Sequence, residues 1–141
     1  MKKTTGELLA SLHAKKNFVD FLRDEIDEIY FKPVDEYLSL LMAEKKLKKS
    51  DVIAKSNLDK NYAYQIFNGT KTNPSREKLI MLSFGMGLSS EETNKLLKIA
   101  GLCDLFIRRP RDSAIIFCLD RKKTLLEANE ILSDLQLGIL E

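Results

Sequence analysis

Histidine occurs once in this chain, at His13, cysteine twice, at Cys103 and Cys118, and tryptophan not at all. Two cysteines and one histidine cannot assemble a four-ligand zinc site, and a single pair makes no disulfide framework. Buried, reduced thiols are therefore expected, and no metal or other cofactor. There is no glycine-rich phosphate loop, no base within sequence reach of a Ser or Cys nucleophile, and no metal-ligand spacing among the carboxylates. An enzyme is accordingly not expected, and no catalytic residue is assigned. Three prolines and six glycines leave long uninterrupted segments, and no alternating apolar run with a hairpin turn announces a sheet. The longest apolar runs, such as 114–119, fall far short of the roughly 20 residues that cross a bilayer. Lys2 and Lys3 are followed by Thr4, Thr5, Gly6 and Glu7 rather than by an apolar signal core, so no export and no membrane partner are expected, and the location expected is the cytoplasm.

What the chain does contain is apolar surface and segregated charge. With 44% hydrophobic residues in 141, it suits one compact all-α domain carrying a helical extension. The formal charge of +2 conceals two opposed blocks. Residues 17–36 hold Arg23 and Lys32 against Asp20, Asp24, Glu25, Asp27, Glu28, Asp35 and Glu36, or 2 − 7 = −5. Residues 44–76 hold Lys45, Lys46, Lys48, Lys49, Lys55, Lys60, Lys71 and Arg76 against Glu44, Asp51 and Asp59, or 8 − 3 = +5. The acidic face is a solvated surface, a partner surface, or a shield that competes with phosphate for the basic block.

Helix signals run the length of the chain. Thr4 with Glu7 reads as a capping box. Phe18, Phe21, Leu22, Ile26, Ile29 and Tyr30 form an apolar stripe opposite the carboxylates. Pro33 opens a helix with Val34, Tyr37, Leu38, Leu41 and Met42 inward, ending near Lys46. A brief helix over 48–56 breaks at Asn57-Leu58, and Asp59 caps another that stops at Gly69. Ser75 caps the next, Ser89 or Ser90 with Glu92 starts one ending before Gly101, and two more follow Pro110. Over 47–69 the inward positions Leu58, Ala63 and Ile66 leave Lys60, Asn61, Tyr64, Gln65 and Asn68 on the outer side, the pattern of a helix-turn-helix.

At these residues the chain resembles the lambda-repressor/Cro, or XRE, family over about 34–88. The resemblance rests on Leu47 opening the positioning helix, Asn57-Leu58 at the turn, Ile66, Gly69, Asn73-Pro74-Ser75, Leu79, Leu82 and Leu88-Ser89. It implies a repressor-type five-helix core that binds double-stranded DNA as a homodimer on a palindromic operator, with Lys60, Asn61, Tyr64 and Gln65 facing bases and Lys49, Asn68, Lys71 and Arg76 at phosphates. Four positions depart from the family. Asn57 replaces the turn glycine, bulky Tyr62 and Tyr64 stand where small polar residues are usual, and Phe67 stands where a Glu is usual. Asn tolerates positive φ better than most residues. The aromatics either pack against flanking helices or form an exposed patch that would favour protein recognition.

Residues 76–102 and 111–137 align without a gap at an offset of 111 − 76 = 35. Arg76 matches Arg111, Ile80 Ile115, Glu92 Glu127, Asn94 Asn129, Leu97 Leu132 and Leu102 Leu137, as a duplicated helical hairpin would. The expected organisation is an acidic helical extension (1–32), a DNA-binding domain (33–102) and a C-terminal hairpin (103–141) packed on the core. Its Leu137, Ile139 and Leu140 would cap that core or meet a second copy. Arg108, Arg109 and Arg111 form a second basic cluster, either a solvated loop or a phosphate contact. The expected function is sequence-specific DNA binding as a transcriptional regulator. The competing reading is an adaptor or antitoxin-like module that holds a protein through the acidic helix and the Tyr62/Tyr64 surface.

Overall fold

The computed structural model describes residues 4–14, 18 and 33–141, and the chain divides into two units, Met1–Lys32 and Pro33–Glu141. Among the described residues there are eight helices and no strand, so the fold is all-α. None of these helices is long and apolar enough to cross a membrane. In the first unit α1 spans Thr5–Ala14, and the Glu7 N–H donates to Thr4 Oγ1 at 3.1 Å. The acidic helix expected over 18–30 lies outside the described residues apart from Phe18.

The second unit carries α2 (Val34–Glu44), α3 (Lys49–Ser56), α4 (Lys60–Phe67), α5 (Arg76–Met86), α6 (Ser90–Ile99), α7 (Pro110–Asp120) and α8 (Leu125–Asp134). The ring of Pro33 sets φ to −62° at the entry of α2, and the helix buries Val34, Tyr37, Leu38, Leu41 and Met42 because their spacing puts them on one face. Lys46, at φ 53°, turns the chain, and the Leu47 N–H closes on Met42 O at 3.0 Å. In α5 every residue from Leu79 to Met86 is buried. A helix apolar on all sides must be surrounded, and α3, α6 and α8 pack against it.

The approach of α3 to α5 is set by Gly85. A Cβ there would stand 2.5 Å from Val52 O and 3.0 Å from Ser56 Cβ, so the two helices meet backbone to backbone. Ser56 and Ser83 are fully buried, and each satisfies its hydroxyl within its own helix, on Ile53 O and Leu79 O, both at 2.8 Å. Small residues with internally spent hydroxyls make the crossing possible without unpaired polar groups.

The two hairpins, α5–α6 and α7–α8, repeat one another bond by bond. Ser89 and Glu92 cap α6 with a reciprocal box, as Thr124 and Glu127 cap α8. Gly87 and Lys122 close α5 and α7 at φ 68° and 56°, and Gly101 and Gln136 follow α6 and α8 at 74° and 56°. Arg76 Nε and Nη2 donate to Cys103 O and Asp104 O at 2.8 and 3.1 Å, while Arg111 Nε and Nη2 donate to Gly138 O and Ile139 O at 3.0 and 3.1 Å. Asn94 Oδ1 and Asn129 Oδ1 each accept a backbone N–H at 2.7 Å, from Leu105 and Leu140. All six identical pairs occupy equivalent places, and the match continues to Leu105 and Leu140, both buried.

The hairpins also exchange partners. Arg76 pairs with Asp112 at 2.9 Å and Arg111 with Glu77 at 2.6 Å. Replacing each residue by its counterpart 35 positions away converts one pair into the other, and maps the Lys122 Nζ to Gly87 O bond onto the same two positions. Correspondingly α6 packs on α7 and α5 on α8. These are the relations of two hairpins joined about a local two-fold into a four-helix bundle.

One expectation changes here, and one alternative is decided. Cys118 is buried but Cys103 is exposed, because it lies in the non-helical connection whose carbonyl, not its thiol, faces inward to Arg76. Leu140 is fully buried and caps the core, whereas Ile139 is 40% exposed. At the other end, Lys45 reaches Glu92 at 3.1 Å and ties α2 to α6. Burial opposes ionisation of Glu92, but the Ser89 amide and the Lys45 ammonium outweigh it and hold the carboxyl below its ordinary value. Its contribution is thus present near neutrality and is lost as pH falls through that lowered value.

Two stability predictions follow from this geometry. Gly85→Ala forces α3 and α5 apart and should cost about 1–3 kcal/mol, read as a lower thermal midpoint with helical content retained; an unchanged midpoint would contradict the crossing. Arg76→Ala leaves the buried Asp112 carboxylate without its counter-charge and held by the Phe106 N–H at 2.9 Å, and should cost about 3 kcal/mol. In contrast, Arg111→Ala, whose partner is more exposed, should cost about 1 kcal/mol or less for the lost ion pair. Equal midpoints for the two variants in calorimetry would refute the distinction.

Candidate nucleic-acid interface

The turn between α3 and α4 is three residues long, and its sharpness depends on Asn57. That residue takes the left-handed conformation, φ 55° and ψ 26°, where a side chain other than Asn, Asp or Gly is strained. Leu58 then enters the core, and Asp59 Oδ2 accepts the Tyr62 N–H at 3.0 Å to start α4. The helix turns Ala63, Ile66 and Phe67 inward, all buried. Lys60, Asn61, Tyr64 and Gln65 consequently stand exposed, a row of donors and acceptors held on a helix too short to bend.

After α4, Gly69 at φ 82° reverses the chain, and Asn68 Oδ1 accepts the Thr70 N–H at 2.9 Å. The Lys71 N–H donates to Gln65 O at 2.9 Å, which holds Lys71 against the last turn of α4. Its ammonium lies 5.5 Å from the centre of the Tyr62 ring. Lys49, the first residue of α3, sets its ammonium 5.5 Å from the centre of the Phe67 ring. Two aromatic residues on α4 therefore hold two of the expected phosphate-contacting lysines beside the exposed row, through contacts each worth about 0.5–1 kcal/mol. Reading the sequence identified the lysines and the aromatics but not their pairing, which depends on the α3–α4 angle for Lys49 and Phe67 and on the turn after α4 for Lys71 and Tyr62.

The aromatics resolve unequally. Phe67 is buried and Tyr62 is partly buried against the core, while Tyr64 is 37% exposed. They do not form a continuous exposed patch. Lys49, Lys60, Asn61, Tyr64, Gln65, Asn68 and Lys71 all belong to α3, α4 or the turn after it. Arg76 is the exception: its guanidinium is committed to Cys103 O, Asp104 O and Asp112, so its charge holds the bundle together rather than standing free. Lys45 is likewise spent on Glu92. What remains of the basic block is Lys46, Lys48, Lys49, Lys55, Lys60 and Lys71, none of them ion-paired among the described residues.

No family model matches the chain, and neither a curated protein nor a solved structure is detectably similar to it.

The different burial of the two aromatics can be measured. Phe67→Ala should cost about 3–5 kcal/mol, whereas Tyr64→Ala should stay within about 0.5 kcal/mol of the parent. Urea titrations in which the two variants lose the same stability would show that the faces of α4 are wrongly assigned.

Proposed function

We propose that the chain binds double-stranded DNA in a sequence-specific manner, as a transcriptional regulator of repressor type, with α3 and α4 as positioning and reading helices of a helix-turn-helix within a five-helix core, α2–α6. The observation that carries this reading is the exposed row Lys60, Asn61, Tyr64 and Gln65 on a buried-backed α4, flanked by Lys49 and Lys71. Asn or Gln can pair bidentately with adenine and Lys can donate to guanine in the major groove. The flanking ammoniums and the Asn68 turn suit phosphates, which position but do not specify. Arg76 carries no part of this proposal. A homodimer spanning half-sites about 34–36 Å apart would be built on the apolar residues left exposed on the C-terminal half, among them Phe106, Ile107, Phe117 and Leu135. The same residues favour a second reading, an adaptor that holds a protein partner.

The two readings separate by salt and by mutation. Gln65→Ala and Asn61→Ala should each weaken a selected site by about 1–3 kcal/mol while leaving random duplex almost unaffected. Lys71→Ala should weaken all duplexes alike and flatten the slope of log affinity against log salt by roughly 0.9. Titrations on both DNAs at several salt concentrations test this, with light scattering reporting the assembly. If the Lys60, Asn61 and Gln65 variants all bind as the parent does, α4 does not read bases; if the protein binds no DNA at any salt, the adaptor reading replaces this one.

A further inference from the structure

A cleft of about 630 Å³ opens between the last turn of α3, the C-terminal end of α5 and the α7–α8 turn. Its volume falls within the roughly 300–1,000 Å³ typical of small-molecule sites. Phe84, Met86, Leu88, Leu119 and Leu125 form an apolar floor, and Leu126, 71% exposed, stands at the mouth. The charged lining residues are Lys55, Lys122 and Lys123, and no described lining residue is acidic. Lys122 Nζ is oriented by its bond to Gly87 O at 2.8 Å, which uses one of three ammonium protons. Lys123 acts electrostatically on Glu127, whose carboxylate also accepts the Thr124 N–H at 2.9 Å. An apolar floor bordered by three lysines, with no acidic residue in the described lining, favours a guest with an anionic head and an apolar body.

We propose that this cleft is a ligand site for a small amphiphilic acid, a molecule with one carboxylate head and an apolar body of about the size of a medium-chain fatty acid. The head lies among Lys55, Lys122 and Lys123 and the body covers the floor and Leu126. Ala54, Lys55 and Asn57 line the same cleft, so a bound ligand bridges the α3–α4 joint to the α7–α8 hairpin and biases the orientation of α4. That regulatory half rests on the DNA-binding reading above; the binding half does not.

Isothermal titration with sodium decanoate, below its micellar range, tests the site, with decanol as the uncharged probe and Lys98→Ala, outside the cleft, as control. Saturable binding at one site per chain is expected, at least tenfold tighter than decanol, at least tenfold weaker in Lys122→Ala/Lys123→Ala, and abolished in Leu126→Glu, whose exposed position preserves the fold. Absence of saturation, equal binding of decanol, or parent-like binding by both cleft variants would overturn the proposal. So would a dimer that binds no decanoate and dissociates in Leu126→Glu, since a second copy would then occupy the groove. In a parallel arm, saturating decanoate should change affinity for DNA severalfold, and an unmoved affinity removes the coupling. A protein that binds decanoate but no DNA retains the site and loses the proposed function, whereas the reverse outcome loses the site alone.

Discussion

Where α3 crosses α5 there is room for a hydrogen atom and nothing larger. Gly85 lets the backbone of Val52 approach to a distance that a methyl group would occupy, and much of the second unit depends on this approach. It sets the depth at which Val52 and Ile53 reach the core, and through the three-residue turn it sets the position of α4. Gly85 also lines the cleft, so the cleft lies directly beside this crossing. A glycine inside a helix costs about 1 kcal/mol relative to alanine. Here that cost is offset by dispersion contacts between two backbones and by the burial of the aliphatic residues around them.

The repeated hairpin geometry makes the bundle behind this crossing self-consistent, and its departures from symmetry make room for the crossing. Position 85 in the first hairpin corresponds to position 120 in the second, 85 + 35 = 120. Gly85 receives α3; Asp120 instead accepts the Ser90 N–H and hydroxyl at 2.7 and 2.8 Å. One site of the pseudo-symmetric pair therefore became a packing surface and the other a polar clasp. The arginine exchange has similar logic. Arg76 and Arg111 each satisfy two carbonyls in the chain that follows their own hairpin and one carboxylate on the other hairpin. Each guanidinium thus fastens a loop and a neighbour at once, a use suited to its fixed fork of donors.

Electrostatically the chain spends some cations and keeps others. Lys45 and Arg76 are consumed by Glu92 and Asp112, which are paired or buried groups that would be costly to leave alone. The six lysines that remain surround α3 and α4, and two of them lean on aromatic rings. Charge counted along the sequence is therefore an upper bound on charge presented to a partner. With those two cations spent, the six remaining lysines stand against Glu44, Asp51 and Asp59, so the segment still presents 6 − 3 = +3.

Much of this was legible in the order of residues, because the relevant forces act over a few positions. The caps Asp59, Ser75, Ser89 and Thr124, the left-handed Asn57 and the inward Ala63 and Ile66 are consequences of hydrogen bonding and helical periodicity within one or two turns. The register of the repeat was legible for the same reason, since identical residues recur wherever an identical local bond is needed. The commitment of Arg76 to Asp112 was not legible, nor were the exposure of Cys103, the choice between core cap and dimer contact for Leu140, the pairing of Lys49 and Lys71 with Phe67 and Tyr62, and the cleft walled by Lys55 and Lys122. Lys71 and Tyr62 meet through the turn that closes α4; in the other cases the partners come from different helices or connections, and whether they meet depends on interhelical angles. Those angles follow from how whole surfaces fit together, and at Gly85 the fit turned on the absence of a side chain, whose significance appears only when another helix lies against it.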